Sequence, residues 1–254
     1  MKKIYLAALT LAMTACVSNE DLNPVDNYGY IDLNVSNDPI VETRAVTINN
    51  KSWTVMIGGT EYTGTGQAFA AGTYNVSVTT HEDVASANSA NSPWGEAFYN
   101  NVGSSDQVTV IAGQSVTATA NCGSAKNARM NVVFTDNFKN VFKKFSLNIS
   151  TPREISYDGA NDQPSYFIAN SEIIFTITYD YGTGENKTKT TEEQTITLGD
   201  AGTEKVLTVT SNTDGNIQVQ INTSEFTSST GTTITFDAAD GQVESITETP
   251  NAQQ

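Results

Sequence analysis

Apolar and polar positions alternate along most of this chain with period two, the signature of strands that are half buried. Ile31, Leu33 and Val35 alternate with Asp32 and Asn34, and Asn37-Asp38-Pro39 ends that run. Trp53, Val55 and Ile57 share a face before a Gly58-Gly59 turn, and Tyr74, Val76 and Val78 share one after Gly72. Val108 and Val110 lead through Ala112-Gly113-Gln114 to a returning run, Val116-Thr117-Ala118-Thr119-Ala120, which predicts a hairpin.

Residues 81–103 break the alternation. They are rich in Asn, Ser and Ala and carry Trp94, Phe98 and Tyr99 around Pro93 and Gly95. Three aromatics in a loop this long have two uses. They present a stacking platform for a sugar ring or a partner's anchor, or they tuck back and cap a sandwich.

Residues 123–127 form a short polar joint, and the pattern restarts at Met130, Val132 and Phe134. A domain boundary is expected there. Phe134, Phe138, Val141, Phe142 and Phe145 fall at spacings that predict one face of a short helix behind Asp136, plugging the core. Strands are expected at residues 145–149, 166–168 and 173–179, followed by a Thr-rich edge strand over 187–198. Asn212-Thr213-Asp214-Gly215, flanked by Val209 and Ile217, is the strongest hairpin signal in the chain. Residues 234–236 and 243–246 close the pattern, and 249–254 reads as a frayed tail. A faint internal echo links Ala112-Gly113 before Val116 with Ala201-Gly202 before Val206.

The fold class predicted is therefore all-β, with two tandem β-sandwich domains, transthyretin-like or Ig-like. The expected organisation is 1–15 signal peptide, 16–27 acidic tether, 28–123 first sandwich, 128–248 second sandwich with one short helix, and 249–254 tail.

Composition narrows the function. Lys2 and Lys3 precede an apolar run, residues 4–13, that is too short to span a bilayer, and Thr14-Ala15-Cys16 follows. Met13-Thr14-Ala15-Cys16 resembles a bacterial lipobox, which makes Cys16 the expected lipidated first residue of the mature chain. Several acyl chains on one residue anchor durably, since each buried methylene contributes about 0.8 kcal/mol. The formal net charge is -15, and loss of the leader removes two lysines more. Such a charge argues against nucleic acid as a partner and leaves the lipid to hold the membrane. In Bacteroidota lipoproteins acidic residues after the lipidated Cys resemble a signal for export to the outer face of the outer membrane, and Glu20 and Asp21 fit that pattern loosely.

With Cys16 committed to lipid, Cys122 is left to pair between chains or to serve as a small buried hydrophobe. His81 is the sole His, so no zinc site of nitrogen and sulfur ligands can be assembled, and no cofactor is expected. No nucleophile elbow or phosphate-binding Gly loop occurs, and no catalytic residues are assigned. A carboxylate pair of glycosidase type would need a facing geometry that sequence does not supply. Asp158-Gly159-Ala160-Asn161-Asp162 and residues 237–240 offer oxygen donors but read as ordinary turns.

Together, Cys16, Gly29-Tyr30, Glu42-Thr43-Arg44-Ala45, the run Ala70 through Val76, the run Val110 through Gln114, Asn121-Cys122, Ala128-Arg129-Met130-Asn131-Val132 and the run Phe134 through Phe138 resemble an uncharacterised family of Bacteroidota surface lipoproteins. That family is labelled as a domain of unknown function. The resemblance covers most of residues 28–222. The layout is more distantly similar to fimbrillins, lipoproteins built from two transthyretin-like sandwiches. Fimbrillin resemblance implies cleavage after an Arg near the start of the fold, which would be Arg44-Ala45 here, and assembly by a neighbour's strand. The other reading of Arg44 is an exposed loop cation on a protein that stays anchored as a monomer. The function expected is a non-enzymatic surface lipoprotein, fimbrial or adhesin-like, held at the outer membrane by lipid and partnered by other subunits or a host ligand. The alternative is a glycan-binding surface lipoprotein that uses Trp94, Phe98 and Tyr99, with a carbohydrate-active enzyme behind both.

Overall fold

The computed structural model describes residues 27–36, 53–64, 66–102, 106–160, 162–181, 187–224, 230–237 and 241–250. The leader, Cys16, most of the tether, Arg44, Ala45 and residues 251–254 lie outside them. The described residues are mostly β, in several sheets, with two short helices. Its first part runs β1 (Tyr28–Ser36), β2 (Thr54–Ile57), β3 (Thr60–Glu61), β4 (Ala68–Ala70), β5 (Gly72–Thr79), α1 (Val84–Ser89), β6 (Gln107–Val110) and β7 (Ser115–Asn121). Two sheets, in the orders β4-β1-β7 and β3-β2-β5-β6, face each other. Ile31, Ala118 and Ala120 from one, with Val55, Ile57, Val76, Val78, Val108 and Val110 from the other, make a shared cluster.

The second part runs β8 (Ala128–Phe134), α2 (Asp136–Val141), β9 (Phe145–Thr151), β10 (Ile155–Tyr157), β11 (Ser165–Phe167), β12 (Glu172–Asp180), β13 (Thr188–Thr190), β14 (Gln194–Thr197) and β15 (Glu204–Ser211), then β16 (Ile217–Ser224), β17 (Thr230–Phe236) and β18 (Val243–Pro250). A second cluster, from Ala128 to Phe236, fills the space between its sheets. Strand β12 shows the cause, since Ile173, Phe175, Ile177 and Tyr179 are buried while the residues between them are not.

The two parts repeat one topology. Each opens on a strand paired antiparallel on one side and parallel on the other: β1 with β4 and β7, β8 with β11 and β15. In the facing sheets β2 pairs with β3 and β5 as β9 pairs with β10 and β12. Gly29 opposes Phe69, and Ala128 opposes Phe167. The Ala-Gly echo sits in matching turns. Gly113 N–H donates to Tyr28 O and Tyr30 N–H to Gln114 O, just as Gly202 N–H donates to Asn127 O and Arg129 N–H to Thr203 O. Gly113 and Gly202 both have positive φ, 73° and 81°, which a side chain would strain. The difference is that β16, β17 and β18 extend the second part's sheet beyond β15.

Several expectations need correction. Residues 81–103 contain the helix α1, started by the Asp83 side chain accepting from Ser86 N–H. Helix α2 is capped by Thr135 and spans only six residues, and its last residue, Val141, points outward, 52% exposed, while Phe138 is buried. Phe145 belongs to β9 and meets the helix from outside it, with its ring 5.1 Å from Phe138 and 4.7 Å from Phe134. The Thr-rich run is two strands, because Thr191 turns inward and its hydroxyl accepts from Ile177 N–H at 2.9 Å. The residues read as a tail begin inside β18, which pairs Thr230 with Pro250.

Candidate functional site

Strand β1 is the first place where sequence position and geometry meet. It follows the segment read from sequence as a tether, and it is central in its sheet. Its pairing with β7 covers seven positions, from Tyr30 opposite Ser115 to Ser36 opposite Asn121. Ile31 is fully buried, and its carbonyl accepts from the Tyr62 hydroxyl at 2.7 Å. Burial, and then the charge of Asp32, raises the pKa of that phenol. Gly29 has no room for a side chain, since a Cβ would lie 2.3 Å from Ile111 O and 2.8 Å from Gln114 O. The slot between β4 and β7 thus admits a small residue and, two positions on, a large apolar one.

The second place is the joint between the two parts, built by the connection from β5 to β6. Gly95, at φ 75°, lets the chain approach β11 closely, where a Cβ would come 2.9 Å from Tyr166 O. Tyr166 N–H donates to Trp94 O at 2.8 Å. Arg153 clamps the same turn, donating from Nε to Pro93 O at 2.7 Å and from Nη2 to Trp94 O at 3.0 Å and Tyr166 O at 2.6 Å. Its guanidinium lies 4.5 Å from the centre of the Phe167 ring. Desolvation lowers its pKa, against a smaller raising effect of Tyr157. Each part also lends an aromatic to the other: Trp94 packs on the second cluster, edge-on to Tyr157 at 5.0 Å, and Tyr166 packs on the first.

Asn127 ties the joint from below. Its Oδ1 accepts from Phe98 N–H at 3.0 Å, and its Nδ2 donates to Glu96 O at 2.8 Å and Asn88 Oδ1 at 3.2 Å. Beside it, the buried pair Arg129 and Glu204 meets at 2.9 Å across the first register position of β8 and β15. Burial opposes the Arg129 charge, but the hydrogen bond and charge of Glu204, together with smaller contributions from Tyr166, outweigh it, and the net shift is upward.

Of the aromatics read from sequence, Trp94 is part-buried at the joint, Phe98 is buried, and Tyr99 is fully buried with its ring 6.3 Å from Trp53. Phe98 and Tyr99 therefore present no stacking face, and the three pack. Cys122 is buried and free, and burial raises its thiol to about 11. His81 is braced within its loop, 3.3 Å from Glu96 and 3.1 Å from the Thr80 hydroxyl. The Asp158 to Asp162 turn is self-bonded. Asp162 accepts from Asp158 and Gly159 N–H groups, and Asp158 from Ala160 N–H. Among the described residues no cluster of His, Cys, Asp and Glu could hold a metal ion. No described helix is long and apolar enough to cross a membrane.

The family described as Domain of unknown function (DUF4493) matches residues 23–247. The chain belongs to that family. No curated protein matches it. The DUF4493 match begins before β1 and ends within β18, so it takes in both clusters and the joint.

Arg153, Tyr166 and Asn127 were not singled out by sequence. Arg153 binds carbonyls some sixty residues away in the chain, and no residue pattern announces a backbone partner.

Proposed function

We propose that this DUF4493 chain is a non-enzymatic component of the bacterial cell surface, fimbrial or adhesin-like, anchored to the outer membrane through Cys16 and assembled by strand addition. The observation that carries the reading is the position of β1. The segment that follows the tether fills a central slot between β4 and β7, and Arg44 comes shortly after it in sequence. Cleavage at Arg44-Ala45 would leave β1 joined to the fold by hydrogen bonds and packing alone. Its departure would open a groove lined by main-chain donors and acceptors, which takes an extended strand in the β-augmentation mode. The fit around Gly29 and Ile31 states what that strand must carry: a small residue, then an apolar one two positions later. Fimbrillin-type subunits, which the layout resembles, assemble in this way.

The experiment is the intact mass and N-terminus of the protein taken from its own cells, with polymers examined by electron microscopy. An N-terminus at Ala45 with polymers, both lost in Arg44→Ala, is the expected result. Polymers unchanged in Arg44→Ala would refute assembly by cleavage. An acylated Cys16 start in every molecule would refute the cleavage while upholding the anchor.

A further inference from the structure

The outer edge of β7 invites a second inference, independent of cleavage because it leaves β1 in place. Among the described residues β7 pairs on one side only, with β1. The alternation that begins with Tyr30 N–H on Gln114 O turns the amides of Val116, Ala118 and Ala120 toward β1 and those of Ser115, Thr117, Thr119 and Asn121 outward. The Asn121 amide is met by the Asp106 carboxylate at 3.0 Å, which closes that end. The side chains of Ser115, Thr117 and Thr119 are exposed.

The repeat within the molecule identifies what this edge accommodates. Its counterpart, β15, carries an antiparallel strand at the same place, β16, over eight register positions. Exposed edges are normally guarded by brevity, charge or Pro. The other described edge strands follow that rule: they are two to four residues long, or, in β18, carry Glu244, Glu248 and Pro250. Strand β7 is seven residues, Ser-Val-Thr-Ala-Thr-Ala-Asn, with no charge and no Pro.

We infer that the outer edge of β7 pairs antiparallel with β7 of a second copy of this chain, joining two three-stranded sheets into one of six strands. The sequence is self-complementary about Ala118. A two-fold axis there sets Thr117 opposite Thr119 and Ser115 opposite Asn121, and the outward amides of Thr117 and Thr119 meet carbonyls of the other copy. Facing Thr pairs are favourable across antiparallel strands. The paired strands themselves carry no charge, with Asp106 at each end of the pairing, whereas each copy bears -15 overall, so the dimer strengthens as salt screens that repulsion.

The test is sedimentation velocity on the full chain carrying Cys16→Ser, so that lipid cannot drive association. A monomer–dimer equilibrium shifting toward dimer with added salt is expected, and Thr117→Lys with Thr119→Lys should be monomeric with an unchanged melting temperature. Hydrogen exchange on the chain without those lysines reads the same interface without relying on the variant: the Thr117 and Thr119 amides should slow as protein concentration rises. Arg44→Ala should leave the dimer intact, which separates it from cleavage-dependent assembly. A monomer at every salt and millimolar concentration, a dimer persisting in the folded lysine variant, or a dimer whose Thr117 and Thr119 exchange is unaltered would each overturn the inference.

Discussion

Replacing Arg153 with Ala should unfasten the two parts of the molecule. The side chain makes three hydrogen bonds to carbonyls and lies over Phe167. Trp94 O keeps the Tyr166 N–H after the change, but Pro93 O and Tyr166 O lose a charged donor. Hydrogen bonds to charged groups contribute about 1.5–3 kcal/mol each. Both carbonyls are only part-buried, so the low end applies, about 3 kcal/mol for the two. Loss of the guanidinium from the Phe167 face adds about 0.5–1 kcal/mol. The expected cost is therefore roughly 3–4 kcal/mol, and Arg153→Lys should recover less than half, since an ammonium cannot reproduce the fork. The two tryptophans report separately, because Trp53 packs on the first cluster and Trp94 on the second. Urea titrations followed by fluorescence in Trp53→Phe and Trp94→Phe backgrounds should coincide when Arg153 is present and separate in Arg153→Ala. A loss below about 1 kcal/mol, the size of an ordinary surface substitution or little more, or transitions that still coincide, would refute the clamp.

Two further outcomes follow from buried and capping charges. Glu204→Gln leaves the Arg129 charge in the interior without its counter-ion and should cost about 3–5 kcal/mol in urea unfolding, while Arg129→Met with Glu204→Leu should recover most of it. The hydrogen bonds from Ser86 hold the Asp83 carboxyl below the usual carboxylate range. Because the folded value is the lower one, its support of α1 is complete above the unfolded value of about 3.9 and is lost as pH falls through the folded value. Exchange of the Ser86 amide should therefore accelerate in strong acid, and Asp83→Ala should make it fast at neutral pH as well.

What could be read from sequence was whatever depends on neighbours in the chain. Asp214-Gly215 announced the β15 to β16 hairpin because only a positive φ closes that turn, and Gly215 has φ 86°. The Ala-Gly echo marked two turns whose hydrogen bonds correspond residue for residue. Helix α1 was not legible, since Val-Ala-Ser-Ala-Asn-Ser has no apolar stripe and buries Ala87 alone. Val141 misled because the apolar stripe of α2 is narrow: Phe138 and Phe142 are buried, whereas Val141, the last residue of the helix, lies beside that stripe and is exposed. The aromatics of residues 81–103 left both of their uses open, and the deciding partners, Arg153, Tyr166 and Asn127, come from distant segments.

The parallel pairing that opens each part also has a consequence for the order of folding. Tyr30 waits for Ser115, some 85 residues later, and Arg129 for Glu204, some 75 later. Contacts so far apart in sequence are slow to form, because loop closure comes before any gain from pairing. A chain emerging N-terminus first can pair its opening strand early on one side only, with β4 or β11, and the parallel side stays open until β7 or β15 has emerged. The first part closes this side with its last strand, whereas the second closes it with three strands still to come, so the first part is complete once latched and the second is not.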